Sequence, residues 1–563
     1  MNKKFLFSFL AMAAILSFSA CSGKLTPLSE QYIKAEPQPL EAIGGEVPVT
    51  ISATFPAKWF NKNAIVTVTP VIRYATGETW GTSYSFQGEK VKANNRVVTY
   101  AGGGNATMQS RFEYKPAMKK SELYLTFDAK IKNKVVRLPD IKIADGVIAT
   151  SEWADASTAN PAIGADKFQR IIKEAYDANI MFLIQQAELR SGELNKGEIT
   201  EWKNLVENAN QAPNQNVSIE VSAYASPDGG FKLNDALAER RETNTTNYLN
   251  RELNRRNVNV PVDARYTAQD WEGFRELVSK SNLQDKDLVL RVLSMYTDPE
   301  QREREIKNIS TVFKTLADEI LPQLRRSRLI ANIEIIGKSD EEIASLAKGA
   351  AGSLTVEELL YAATLTSDDA EKETIYTKAS SIYPNDYRPW NNIGMQRFRA
   401  GDFAKAEEMF NKANSIQNNS EANINLGLLA LMKGDKAKAQ QLFGGASSVP
   451  ELGEALGLLY LTQGEYARAV SSFAGTKSNN AALAQILTKD YSTAAQTLNA
   501  VTRPNAITDY LKAVVAARTN DTNGVVSNMR AAISKDRSLA REAANDLEFA
   551  KFMNNASFID LLR

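Results

Sequence analysis

The chain has 563 residues, too many for one ordinary core and enough for three or four domains. Hydrophobic residues make up 43% and charged residues 24%, a composition that folds. Lys and Arg total 67 against 66 Asp and Glu, so no basic excess points to nucleic acid as a partner.

The absence of His and the presence of one Cys exclude Ser-His-Asp and Cys-His nucleophile systems, imidazole or cysteine zinc sites, iron–sulfur clusters and an internal disulfide. Asp/Glu and Ser-Lys chemistry remain open. No segment shows a paired-carboxylate arrangement of the glycosidase kind, so neither a catalytic residue nor a metal or cofactor is assigned.

The N-terminus carries Lys3 and Lys4, then an apolar stretch from Phe5 to Phe18. That is the length of a signal peptide and too short to span a bilayer. Phe18-Ser19-Ala20-Cys21 resembles the lipobox of bacterial lipoproteins. The resemblance implies cleavage after residue 20, a diacylglycerol on the Cys21 thiol and a durable anchor in the outer-membrane bilayer. The following Ser-Gly-Lys-Leu-Thr lacks the acidic residues usual in surface-exposed lipoproteins of the Bacteroidota, which implies the periplasmic face. Residues 21–40, with Pro27, Pro37 and Pro39, read as a tether.

Residues 41–150 read as an all-β sandwich. Val47, Val49, Ile51, Ala53 and Phe55 alternate along one face of a strand. Ala64 to Tyr74 is β-branched, Val97–Tyr100 stops at three glycines, and Leu123–Phe127 and Val135–Leu138 follow. Trp59, Phe60 and Trp80 are read as buried aromatics before a binding surface, and the segment as a docking module.

Residues 165–338 read as α/β. Ile180 to Ile184 forms a buried strand, and Ile199, Trp202, Leu205 and Val206 share a helix face. Val217–Val221 is a second strand. The turn Ser226-Pro227-Asp228-Gly229 leads into a helix from Asn234 to Leu249. Asn234, Leu237, Ala238, Arg241 and Tyr248-Leu249, with Phe182 and Ala187-Glu188-Leu189 upstream, resemble the peptidoglycan-binding C-terminal domain of the OmpA family. The segment Arg328–Ile335 is its last strand, and residues 256–327 form a helical insertion. The resemblance implies a peptide-stem site in which a carboxylate takes an ammonium and Arg241 takes a carboxylate. Ser226 stands at the family's Asp position, and Asp228 is the candidate replacement.

After a linker at 339–355, residues 356–563 repeat themselves. Gly394, Ala406 and Phe410 recur as Gly427, Ala439 and Phe443, then as Gly457, Ala469 and Phe473. Ala482, Ala494 and Leu498 make a shortened fourth copy, residues 505–536 a degenerate later one, and Ala379 with Pro384 an earlier one. With Trp390 near the start, the pattern resembles the tetratricopeptide repeat, an all-α solenoid ending here in a capping helix at Phe558–Leu562. Such a solenoid offers a groove for an envelope protein partner. The combined reading is a multidomain, non-enzymatic outer-membrane scaffold that also touches peptidoglycan. The alternative is a structural tether between cell wall and outer membrane.

Overall fold

The alternation of Val47, Val49, Ile51, Ala53 and Phe55 does what a half-buried strand requires: all five side chains are buried. The computed structural model describes residues 25–283, 285–308, 310–446 and 449–563. They fall into two units: residues up to Ala165 with Ser380–Arg563, and Asp166–Ala379. No described helix is long and apolar enough to cross a membrane.

In the first unit, one sheet holds the strand Glu46–Phe55 between Ile33–Glu36 and Gly104–Glu113. The other is centred on Ala64–Tyr74 and Ser121–Ile131. Phe55, Phe60, Phe86, Met108, Phe112 and Leu125 belong to one shared core. The expected tether differs from what forms. Leu25 and Leu28 are buried in that core, Ile33–Glu36 pairs with the central strand, and the Trp59 indole donates to the Thr26 carbonyl at 2.9 Å. Apolar residues at 25, 28, 33 and 35 draw the segment in despite its prolines. Phe60 is buried and Trp59 stacks on Phe55, whereas Trp80, on a short strand, stays 55% exposed.

The helices from Tyr387 to Lys535 form five hairpins. Their pairs are Tyr387–Arg399 with Phe403–Ile416, Ser420–Met432 with Lys436–Gly444, Leu452–Gln463 with Tyr466–Ser472, Asn479–Leu487 with Tyr491–Asn499, and Ala506–Arg518 with Thr522–Lys535. A Cβ placed on Gly394, Gly427 or Gly457 would lie 2.6, 2.2 or 2.7 Å from the ring of Phe410, Phe443 or Phe473. The small residue of each first helix is therefore the seat of the large residue of its second helix. Ala406, Ala439 and Ala469 are fully buried. In the fourth hairpin, Ala482 and Leu498 hold the corresponding positions, both buried. In the fifth, Ala513, Val525 and Met529 hold the equivalent positions, all buried.

The sandwich sits directly on this solenoid. Gly44, at φ +64°, has no room for a side chain: its Cβ would lie 2.8 Å from the Gln463 carbonyl oxygen. Lys436 donates to the Gly44 carbonyl at 3.0 Å, and Lys119 pairs with Glu542 at 2.8 Å.

The second unit is a four-stranded sheet. Its strands in chain order are Ile171–Met181, Gln215–Tyr224, Val262–Thr267 and Arg326–Ile336, and their spatial order is first, fourth, second, third. Helices Gly197–Gln211 and Phe231–Arg255 contribute Ile199, Trp202, Val206, Leu249 and Leu253 to the core over Ile219, Val221, Leu329 and Ala331. Three expectations are corrected here. The first strand ends at Met181, so Phe182–Ile184 is a loop, with Leu183 and Ile184 exposed. The expected helical insertion at 256–327 contains Val262–Thr267, a strand parallel to its neighbour; the helices begin at Trp271 and share a separate core around Phe274, Leu293 and Leu316. The expected linker at 339–355 holds the helix Asp340–Gly349, started by a reciprocal Ser339–Glu342 cap and anchored by Ile343 and Ala347.

Candidate peptide groove and the loop cluster of the central sheet

The first helix of each hairpin lines the groove of the solenoid, and the groove is occupied by the chain itself. Residues 150–165, between the sandwich and the second unit, run along it as a strap from the last hairpin to the first, with short 3-10 turns at Thr150–Trp153 and Ala156–Thr158. An external partner was the expected occupant.

At the C-terminal end Thr150 donates to Glu548, which also takes a forked pair from Arg518. Trp153 lies 4.8 Å from the Tyr510 ring, centroid to centroid. The Asp155 amide donates to Asn480 Oδ1 at 2.9 Å, and Asn480 Nδ2 donates back to the Asp155 carbonyl at 2.9 Å. Glu454 accepts from both the backbone and the side-chain nitrogens of Asn160, at 3.2 and 3.0 Å. The Ala162 amide donates to Asn425 Oδ1 at 2.7 Å, and Asn425 and Asn391 both donate to the Ala162 carbonyl, at 2.8 and 3.0 Å. Asn392 closes the same reciprocal pair with Gly164, at 2.8 and 2.9 Å.

A primary amide offers one acceptor and two donors side by side. An Asn is therefore the side chain that can pair with the N–H and C=O of one residue in an extended peptide, as a neighbouring strand would. The strap residues facing the helices are small: Ala156, Ala159 and Ala162 are buried, and a Cβ on Gly164 would meet Arg388 at 2.8 Å. Burial pushes the Glu454 carboxyl upward, opposed by its bonds from Asn160.

These groove residues were not singled out in the sequence, yet a signal was there. Asn392, Asn425 and Asn480 each stand two residues before the signature small residue of their repeat, at Gly394, Gly427 and Ala482. The signature residues themselves hold the hairpins together. Trp390 donates to the Pro384 carbonyl at 3.3 Å and lies under the Lys412 ammonium.

In the second unit three of the four residues expected around a peptide stem, Ser226, Asp228 and Asn234, share one turn, and Arg241 is bonded elsewhere. Asn234 braces the turn by donating to the Ser226 and Gly229 carbonyls at 3.0 and 2.8 Å. The Ser226 hydroxyl donates to Asp228 at 2.6 Å. Arg241 is fully buried and its guanidinium is spent on the fold: it donates to the carbonyls of Gln186, Tyr224 and Leu183 at 2.9, 2.8 and 3.2 Å, above the Phe182 ring. Burial, then the neighbouring Arg325, lowers it to about 10, so it stays charged at neutral pH. Arg325, absent from the sequence reading, pairs with Asp228 at 3.1 Å and donates to the Ser226 hydroxyl at 3.3 Å. It lies 99 residues from Ser226, beyond the reach of any local motif. Cys21 lies outside the described residues.

No family model matches the chain and no curated protein matches it. Among solved structures, it is similar to a tetratricopeptide repeat protein from Parabacteroides merdae ATCC 43184, at 17% identity over 40% of this chain and 89% of that one, with a TM-score of 0.27. It is also similar to Pseudomonas aeruginosa PilF, at 18% identity over 38% and 98% of the two chains, TM-score 0.26, and to yeast Tom70, at 12% over 58% and 74%, TM-score 0.25. The repeat assignment rests on the glycine–phenylalanine seats described above.

Proposed function

We propose that the chain is a non-enzymatic scaffold or assembly protein of the bacterial outer membrane, anchored by lipid on Cys21 and facing the periplasm, that recruits an envelope protein partner. The observation that carries the scaffold reading is the asparagine ladder. It makes the solenoid a peptide-gripping device, and here the device grips residues 155–165 of its own chain. The strap binds sandwich and repeats into one body, so the partner meets a composite surface instead of an open groove. Crosslinking in living cells, followed by affinity purification through a C-terminal tag, should recover one defined set of outer-membrane proteins. Recovery of muropeptides alone would replace the scaffold with the tether. Cys21→Ser should release the chain from the membrane fraction; retention there would remove the lipid anchor.

Peptidoglycan contact is the second reading. The bond from Ser226 to Asp228 supports it, because it sets a carboxylate beside the position where the family carries one. With Arg241 committed to three carbonyls, Arg325 is the guanidinium able to exchange its partner for a ligand carboxylate. Sacculus pull-down should then fail for Asp228→Asn and Arg325→Ala. Equal recovery of wild type and both variants would discard this reading.

A further inference from the structure

The first strand of the second unit, Ile171–Met181, is an outer strand of its sheet and pairs on one side only, with Arg326–Ile336. The Gly337 amide donates to the Arg170 carbonyl and the Phe182 amide to the Arg325 carbonyl, each at 2.7 Å. In an antiparallel ladder the two backbone groups of a residue point to the same side, and successive residues alternate. Even-numbered residues therefore bond inward. The backbone groups of Ile171, Lys173, Ala175, Asp177, Asn179 and Met181 point off the edge.

The protein covers one end of this edge itself. Glu198 accepts from the Asn179 amide at 3.1 Å, and Arg190 donates to the Met181 carbonyl at 3.1 Å. From Ile171 to Asp177 no strand covers it among the described residues. Ile171, Ile172 and Tyr176 are 50%, 45% and 39% exposed there, and Ala175 is exposed as well. Neither a proline nor a bulge interrupts the strand. A straight, partly apolar open edge is a template for another strand.

A second copy of the same strand fits it. For two such edges to exchange antiparallel hydrogen bonds, outward residues must stand opposite outward residues. Of the registers centred within Lys173–Asp177, those centred on Lys173, Glu174 or Asp177 set two like charges directly opposite each other, which destabilises. The register centred on Tyr176 places Lys173 opposite Asn179, whose amide is already taken by Glu198. Centred on Ala175, alanine faces alanine on the two-fold axis, and Lys173 faces Asp177 of the second copy, twice by symmetry. Lys173 already pairs with Glu334 at 2.9 Å and Asp177 with Arg328 at 3.3 Å. The new pairs join these into rows of alternating charge across the junction. On the other face Tyr176 comes opposite Glu174 of the second copy, the residue type its hydroxyl already meets within one chain, at 2.7 Å.

We propose that Ile171–Asp177 is a homodimerisation edge. Two copies pair antiparallel about Ala175, an isologous junction that merges two four-stranded sheets into one of eight strands. The proposal rests on neither the scaffold nor the tether reading.

Light scattering of the full chain in detergent at micromolar concentration, resolved for protein mass, tests it. The wild type should show twice the chain mass. Ala175→Pro removes only an N–H that points off the edge, which an outer strand tolerates; it should be monomeric with unchanged circular dichroism. Ala175→Cys sets the residue opposite its own counterpart with Cα atoms about 5.5 Å apart, within disulfide reach, and should crosslink on oxidation. Lys173→Cys, which faces Asp177 of the second copy and not its own counterpart, should not. A monomeric wild type would leave the edge to a strand of another protein and overturns the proposal. A dimer that persists in Ala175→Pro, or equal crosslinking of the two cysteine variants, overturns it as well.

Discussion

At the scale of single residues, the repeats are held by exchanges of volume. Gly427 and Phe443 illustrate the exchange: a methyl group on the glycine would overlap the ring at 2.2 Å. Overpacking of this kind costs about 1–3 kcal/mol. Gly427→Ala should therefore lower the melting midpoint, and Phe443→Leu should restore part of the loss when combined with it, although alone it destabilises. Additive losses in the double variant would refute the seat. Glu454 is a different case. Its carboxyl is raised by burial, so its contribution to stability is fully present below the unfolded value near 4.5 and is lost as pH rises through the higher folded value. Glu454→Gln keeps an acceptor for Asn160 without the charge. The wild type should lose stability relative to this variant as pH rises from about 4.5 toward neutrality, read from urea midpoints; parallel profiles would show that Glu454 is not the titrating group.

Among the elements, the strap and the turns of the hairpins carry the most. Asn425→Ala removes the acceptor for the buried Ala162 amide, and an unsatisfied buried amide costs about 1–3 kcal/mol. Residues 155–165 should become a site of proteinase K cleavage in this variant while the hairpins resist; uncut protein would show that the ladder is dispensable. The turns inside the hairpins need a residue at positive φ. Gly401, Gly434 and Gly464 supply it at +77°, +78° and +79°, but the fourth and fifth hairpins place Lys489 and Asn520 there, at +66° and +59°. A lysine is strained in this region, by about 1–2 kcal/mol. Lys489→Gly recovers that strain less the entropy a glycine loses, so it should raise the melting midpoint slightly; a fall would contradict the assignment. In four of the five hairpins the acid after the turn explains why the next helix starts there: Asp402, Asp435, Asp490 and Asp521 each accept from an amide in the first turn, whereas Glu465 in the third makes no such bond.

For the whole molecule, chain order and structural units do not coincide. The unit made of residues up to Ala165 and Ser380–Arg563 is interrupted by Asp166–Ala379. The interrupting unit is continuous and has its own cores. A fragment of Asp166–Ala379 should unfold cooperatively by itself. A fragment ending at Ala165 should aggregate or be degraded, because Trp153, Ala156 and Ala162 and the backbone groups of Asp155, Ala162 and Gly164 would all lose their partners. A monomeric fragment ending at Ala165, with native-like near-UV circular dichroism, would show that the sandwich does not depend on the repeats.

Local periodicity by itself determined the β-rich start, the alternating face of Glu46–Phe55, the helical hairpins and the Gly, Ala and Phe of their seats, because each depends on residues within about 30 positions of one another. It missed the strand Gly104–Glu113, whose buried Ala106, Met108, Ser110 and Phe112 alternate with polar residues and include a serine. It also took Ile33–Glu36 for tether, since four residues show no period without the partner strand. Only the tertiary structure decided what fills the groove and which guanidinium faces Asp228. Asp155 meets Asn480 across 325 positions and Ala162 meets Asn425 across 263. The strap's own sequence, small and polar, carries no hydrophobic signal that would announce it. Its place is set by hydrogen bonds to its backbone, which every residue except proline offers alike.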